Sequence, residues 1–412
     1  MNIDSKVLSI INNAENKLQD FYKELENTAF LNQKKVLEAF QSNNVALRHF
    51  SGTSGYGYDD IGRDTLCKVF ADIFHSEAAI VSPLIASGTH ALTLALFGIL
   101  RPNDKMLAIS GSPYDTLLSV INGKNIGSLK DFGVKYEEIS LKNNDFDFEA
   151  IEKSIKCESP KLIFIGRSRG YEWRDALSVE KIGKAIDFIK NIDKNIVVMV
   201  DNCYGEFMDI LEPTDVNADM MVGSLIKNPG GGLAPTGGYI AGKESVIEQV
   251  AFRLTSPSIG MEIGSYTGGY RQFYQGIFLA PHTTMNATKG SALFAQVFSD
   301  FGYEVCPEPT AKCNDTVRSI KFNTKDELIS FIQSIQKASP IDSNVLPMPW
   351  AMPGYDDEVI MAAGTFVAGA SIELSADSPI KEPYIAYVQG GLTYEHVKLA
   401  VIMCVQELLA NK

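Results

Sequence analysis

Val222-Gly223-Ser224-Leu225-Ile226-Lys227-Asn228-Pro229-Gly230-Gly231-Gly232 sets a lysine three residues after a serine, at the end of a short apolar run and ahead of a glycine-rich loop. An amine held there can condense with an aldehyde to a Schiff base, and the aldehyde cofactor that uses lysine in this way is pyridoxal 5′-phosphate. Twenty-six residues upstream of Lys227, the β-branched apolar run Ile196-Val197-Val198-Met199-Val200 ends in Asp201. A carboxylate at that point suits a pyridinium nitrogen, which it keeps protonated so that the ring acts as an electron sink. Ser87-Gly88-Thr89-His90 opens an apolar helical stretch. Unpaired N–H groups and the helix dipole at such a start favour a phosphate, with the Ser224 hydroxyl as a further donor. Each signal alone has an ordinary alternative: a solvated loop lysine, a carboxylate ending a strand, a plain N-cap. Their order along the chain points to the cofactor.

Further candidates surround these three. Tyr114, just past a predicted strand, can stack on a ring and pass a proton to a leaving group. Arg167 and Arg169, in Gly166-Arg167-Ser168-Arg169-Gly170, follow another strand, where a guanidinium can grip a substrate carboxylate or the ring's phenolate oxygen. Arg271 and His282 are weaker candidates of the same kind. Tyr56, Tyr58 and Arg63 belong to a glycine-rich loop suited either to a neighbouring subunit's phosphate site or to plain surface. No HExxH, GxSxG or phosphate-loop pattern competes. The cysteines at 67, 157, 203, 306, 313 and 404 form no CxxC pair and no metal-ligand cluster, and read as reduced thiols of a cytoplasmic protein without a metal site.

The elements that must position these groups follow from the pattern of the 412 residues, of which 45% are apolar and 21% charged. This length suggests a large and a small domain. The formal net charge of −13 argues against nucleic acid or an anionic membrane as the main partner. The N-terminus lacks the pattern of a signal peptide, and the apolar stretch 91–100 is too short to span a bilayer. Residues 5–42 read as two helices separated near Asn27-Thr28. From about residue 62, strands at 79–84, 105–109, 134–139, 161–165 and 196–200 alternate with helices at 63–74, 90–100, 114–121, 148–155 and 179–190, and short strands follow at 220–224 and 238–240. That alternation predicts an α/β fold, a mostly parallel sheet flanked by helices with ligands at the carboxyl ends of its strands. Beyond about residue 290, strands at 316–322, 370–374 and 384–389, helices at 325–338 and 393–410, and a loop marked by Pro347, Pro349 and Pro353 predict a smaller α+β domain. The expected division is 1–61 as a helical arm and intersubunit loop, 62–290 as the large cofactor-binding domain and 291–412 as the small domain.

The segments GYGYDDIGRDTL (55–66), SGTHAL (87–92), GSPYDTL (111–117), RSRGYEWR (167–174), VDNCYGEF (200–207), GSLIKNPGGGLAPTGGYIAG (223–242), APHTTMNATKG (280–290) and YVQGGLTYEH (387–396) resemble the aluminium-resistance or methionine gamma-lyase-like proteins. These are relatives of the pyridoxal-phosphate enzymes of cysteine and methionine metabolism, which have fold type I. The resemblance implies Lys227 as the Schiff-base lysine, Asp201 at the pyridinium, Ser87, Gly88, Thr89 and Ser224 at the phosphate, and Tyr114 over the ring. The better-studied lyases add a Tyr-x-Arg from the neighbouring subunit; here Tyr56-Gly57-Tyr58 stands at that place, and Tyr58 is assigned the contact. They also bind the substrate carboxylate through a C-terminal arginine, where this chain offers Lys381, a point charge without the fork. The implied activity is C–S cleavage of a sulfur amino acid by β- or γ-elimination, in a homodimer or homotetramer with shared active sites. The alternatives are an aminotransferase or racemase using the same carbanion, and a non-catalytic regulatory protein that binds the cofactor.

Overall fold

A computed structural model describes residues 3–352 and 357–410; Pro353 of the proline-marked loop lies outside them. The first element is α1 (Ser5–Ser42), one continuous helix of 38 residues. The break expected near Asn27-Thr28 is absent: the Thr28 hydroxyl donates back to Glu24 O at 3.1 Å inside a helix that continues through it. Its first half buries Val7, Ile11 and Leu18 in the small-domain core, and its second half buries Val36 and Ala39 in the large-domain core.

The alternation that follows is α2 (Ile61–Ile73), β1 (Ala78–Ser82), α3 (Gly88–Ile99), β2 (Lys105–Ala108), α4 (Asp115–Asn122), β3 (Lys135–Glu138), α5 (Phe148–Cys157), β4 (Leu162–Gly166), α6 (Val179–Ile192), β5 (Val197–Asp201), β6 (Met220–Ser224), β7 (Gly238–Gly242) and α7 (Glu244–Leu254). The sheet runs β1-β7-β6-β5-β4-β2-β3, and β7 alone is antiparallel to its neighbours. Its strands are apolar on both faces because both are covered. Val198 and Val200 face the side that holds Ile182 and Ile186 of α6, while Met199 faces the side that holds Leu92 and Leu96 of α3. Each fully buried aliphatic side chain of this kind contributes about 1.5–3 kcal/mol.

Then α8 (Arg271–Asp300) runs as one helix across the position where the sequence suggested a domain boundary. Tyr274 and Ile277 near its start belong to the large core, and Phe294 and Val297 near its end to the small one. The helices α1 and α8 pack along each other and tie the two cores together. The rest is β8 (Glu304–Cys306), β9 (Arg318–Lys321), α9 (Lys325–Ala338), β10 (Val359–Ala362), β11 (Ser375–Pro379), β12 (Ile385–Gln389) and α10 (Tyr394–Ala410). The five strands form an antiparallel sheet ordered β10-β11-β12-β9-β8. The strand expected at 370–374 is displaced: those residues lead into β11, whose Ser375–Pro379 run is too polar to read as a strand from sequence. Among the described residues, no helix is long and apolar enough to cross a membrane.

Candidate active site

The chain leaves three parallel strands at one end of the large sheet and puts a functional group at each exit. After β1, Ser87 caps α3 by accepting a hydrogen bond from His90 N at 3.1 Å. The first-turn N–H groups of Gly88 and Thr89 have no acceptor within the helix. At the end of β5, Asp201 is buried and its Oδ1 accepts from Cys203 N at 3.1 Å. Beyond β6 and its terminal Ser224, Lys227 opens a single turn of 3-10 helix, Asn228–Gly230. That turn needs its glycine: a Cβ on Gly230 would lie 1.7 Å from Leu225 O.

These exits converge. A Cβ built on Gly88 would lie 3.3 Å from the Ser224 Cβ and 3.5 Å from Cys203 Sγ. The Thr89 hydroxyl is 2.9 Å from the Tyr114 hydroxyl, and Tyr114 caps the start of α4. Lys227 Nζ sits 4.0 Å from the centroid of the Tyr204 ring. The cleft thus holds Ser87, Gly88, Thr89, Tyr114, Asp201, Ser224 and Lys227, seven of the residues marked in the sequence. Cys203 and Tyr204 join them and were missed, although both lie in the quoted segment 200–207. Only the turn after Asp201 brings them round. A cavity of about 260 Å³ in the small domain, lined by Phe298, Phe331, Cys404 and Leu408 among others, shares no residue with this group.

Burial and close neighbours shift the titrating groups of the cleft. Burial pushes the Asp201 carboxyl up, against the opposing pull of Lys227 and Cys203. Burial, then the charge of Asp201, pushes Tyr114 far above the ordinary phenol range. Burial works to lower Lys227, but Cys203, Tyr204, Asp201 and Tyr114 outweigh it and leave the amine well above the usual lysine value.

The remaining candidates lie elsewhere. Arg167 is fully buried, and its Nη1 donates to Asn202 Oδ1 (2.7 Å) and Gly205 O (2.9 Å) and lies 3.5 Å from Glu212 Oε2. It braces the turn that carries Cys203 and Tyr204, and its other edge, Nε and Nη2, has no partner among the described residues. Arg169 is engaged on every side: Nε and Nη2 with Asp315, Nη1 with Cys306 O at 3.0 Å. Its carboxylate is supplied by the small domain of the chain itself. Lys381 pairs with Asp357 at 2.7 Å on an exposed edge. Tyr58 is 61% exposed and rests against Tyr56, in a loop held by Arg63 Nη1 donating to Gly57 O at 3.1 Å.

The family model for methionine gamma-lyase matches residues 7–409. The chain belongs to the methionine gamma-lyase family. It is 48% identical over 402 residues to the protein YnbB of Bacillus subtilis (strain 168), covering 97% of this chain and 95% of that one. A solved structure described as a carbon-sulfur lyase involved in aluminum resistance, from Clostridium novyi NT, is 51% identical with a TM-score of 0.95, covering 98% of this chain and 96% of that one. The pyridoxal-5′-phosphate-dependent protein YhfS from Escherichia coli shares the fold at 15% identity and a TM-score of 0.64. Pyridoxal 5′-phosphate is the cofactor of the methionine gamma-lyase family, and the residues present fit it. An amine, a buried carboxyl and a helix start are the donor set that its aldehyde, ring nitrogen and phosphate require. The space over Gly88, which a Cβ would narrow against Ser224 and Cys203, is the cradle a phosphate needs.

Proposed function

We propose that this protein is a pyridoxal-phosphate-dependent lyase that cleaves the C–S bond of a sulfur amino acid by β- or γ-elimination. The observation that carries the reading is the convergence of the Lys227 amine, which lies over the Tyr204 ring and feels the Asp201 carboxyl, with the start of α3 beside Ser224. When bound, the cofactor supplies the electron sink that stabilises negative charge at the substrate α-carbon. The chain's own residues do the rest. Lys227 would hold the aldehyde, and its free amine would take the substrate α-proton. Asp201 keeps the ring nitrogen protonated. Ser87, Gly88, Thr89 and Ser224 hold the phosphate. Tyr114 retains its proton at neutral pH and delivers it to the departing thiolate, with Thr89 fixing the direction of its hydroxyl.

Among Arg167, Arg169 and Lys381, Arg167 is favoured for the substrate carboxylate or the ring oxygen by its unpaired Nε–Nη2 edge, since Arg169 and Lys381 already hold Asp315 and Asp357. The exposed Tyr58 fits a contact with the phosphate site of a second copy, in a homodimer or homotetramer of the cytoplasm.

The test is the visible spectrum of the purified protein before and after borohydride, beside Lys227→Ala, followed by product analysis. A yellow wild type trapped by borohydride, with pyruvate or 2-oxobutyrate, ammonia and a thiol released from sulfur amino acids, supports the lyase. Amino transfer to a keto acid, or epimerised substrate, replaces it with an aminotransferase or racemase. A loaded protein inert towards all of them leaves a binding role.

A further inference from the structure

Two turns meet at the Lys227 amine, and each has its own anchor. The turn that carries Tyr204 is fixed from behind: Arg167 Nη1 donates to Gly205 O at 2.9 Å, and Glu212 Oε1 accepts from Phe207 N at 2.8 Å. The turn that carries Lys227 rests on α8, where Gly230 and Gly276 pack backbone to backbone. Neither anchor sets one turn against the other. A side chain does: Asn228 Nδ2 donates to Glu206 O at 3.0 Å. Asn228 directly follows Lys227, and Glu206 stands two residues after Tyr204. Among the described residues, no other side-chain hydrogen bond joins the two turns. The Glu206 end of the link is firmly held. Its Oε1 accepts from the Tyr239 hydroxyl at 2.7 Å, and β6 passes so close that a Cβ on Gly223 would lie 2.5 Å from the same oxygen.

For stability alone, asparagine is a costly residue at this point. Asn228 is fully buried, and its Oδ1 has no partner among the described residues. A buried acceptor left unpaired costs as much as one neutral hydrogen bond returns, or more. An apolar side chain of similar size would avoid that cost and lacks only the donor. What the donor supplies is register. An ammonium is held by a ring face only within about 6 Å of the centroid, and Lys227 Nζ lies at 4.0 Å from that of Tyr204. The lysine side chain is long and flexible, so its own rotamers do not fix this distance. The spacing of the two turns does.

We infer that Asn228 is a positioning residue: by tying the lysine turn to Glu206 O, it holds the Lys227 amine over the Tyr204 ring. Its consequence for catalysis rests on the lyase reading, in which that amine is the group that meets the cofactor and the α-proton.

The experiment compares wild type, Asn228→Leu, Tyr204→Leu and the double variant. In cofactor-free full-length protein, the pH at which Lys227 becomes reactive to an acylating reagent is read by peptide mass spectrometry. Asp201, Cys203 and Tyr114, which also act on the amine, are present in all four. A ring face stabilises the ammonium, so each single change lowers the midpoint by about half a pH unit or more. In the double variant, Asn228→Leu adds less than about 0.2 unit to Tyr204→Leu, because the tether has no ring left to align with. A midpoint unmoved by Asn228→Leu, or a shift that adds in full to that of Tyr204→Leu, overturns the inference. Asn228→Ala and Tyr204→Ala replace any leucine variant that does not fold, with the same readings. In the holoenzyme, Asn228→Leu lowers kcat for thiol release at least about tenfold and leaves KM within about threefold, since the amine moves and the substrate's contacts do not. A raised KM with unchanged kcat overturns the inference as well. The expected midpoints without thiol release by wild type from any sulfur amino acid would cost the lyase reading alone, and thiol release with unmoved midpoints would cost this inference alone.

Discussion

Lys227 Nζ rests 4.0 Å from the centre of the Tyr204 ring, and Tyr204 holds a left-handed backbone conformation, φ 71°. A bulky residue there costs about 1–3 kcal/mol and persists only where its surroundings over-determine it. The surroundings here are the Asp201–Gly205 turn, closed by Gly205 N donating to Asn202 O at 2.8 Å and braced from behind by Arg167. The strain lays an aromatic face under the Lys227 amine.

The electrostatic setting of that amine is testable in cofactor-free protein. Cys203 and Tyr114 are held protonated, chiefly by burial, and Asp201 is the carboxyl among the groups that raise Lys227. Asp201→Asn removes it, and the pH at which Lys227 becomes reactive to an acylating reagent, followed by peptide mass spectrometry, moves down. An unchanged midpoint would show that Asp201 does not govern the amine.

Gly88→Ala puts a methyl 3.3 Å from the Ser224 Cβ and 3.5 Å from Cys203 Sγ, inside the phosphate cradle. Cofactor affinity falls by about tenfold or more, the equivalent of ~1.4 kcal/mol, while the thermal midpoint of cofactor-free protein changes little. Titration of cofactor-free protein with pyridoxal phosphate measures the first and calorimetry the second.

Tyr114→Phe keeps the ring over the cleft and removes the hydroxyl that faces Thr89. The variant binds cofactor with an unchanged spectrum, and thiol release slows by roughly 10²–10⁴, the usual contribution of a positioned general acid. Undiminished thiol release would assign the proton to another donor.

Asp315→Ala leaves the Arg169 guanidinium buried without its carboxylate, since both groups are fully enclosed. Breaking a buried pair from one side costs about 3–5 kcal/mol. Denaturant unfolding should show that loss together with a lower midpoint; a near-neutral result would mean that water reaches the pair.

Glu206 adds a pH dependence to stability. Burial pushes its carboxyl up to about 8, and its Oε1 accepts from the Tyr239 hydroxyl at 2.7 Å. A carboxyl whose folded value is raised stabilises the fold fully below its unfolded value near 4.3, and that contribution is lost as pH rises towards 8. Glu206→Gln cannot ionise, so its thermal midpoint gains on wild type as pH climbs through that window. Parallel curves for the two proteins would place no buried proton on Glu206.

The chain by itself determined the features written locally along it. Apolar runs ending in Asp201 and Ser224, the capping signal at Ser87 and the glycines after Lys227 are consequences of backbone geometry and strand burial, so their order gave the α/β class and the groups that converge in the candidate cleft. Whatever depends on a partner far away was decided by packing alone. Arg167 and Arg169 look alike in sequence, yet one braces the turn under Tyr204 and the other is spent on Asp315, 146 residues away. The polar strand Ser375–Pro379 has no periodicity to announce it. The unbroken α1 and α8 follow the same rule: each is continuous because it buries one half in each of two cores, and no window of sequence shows where a second core lies.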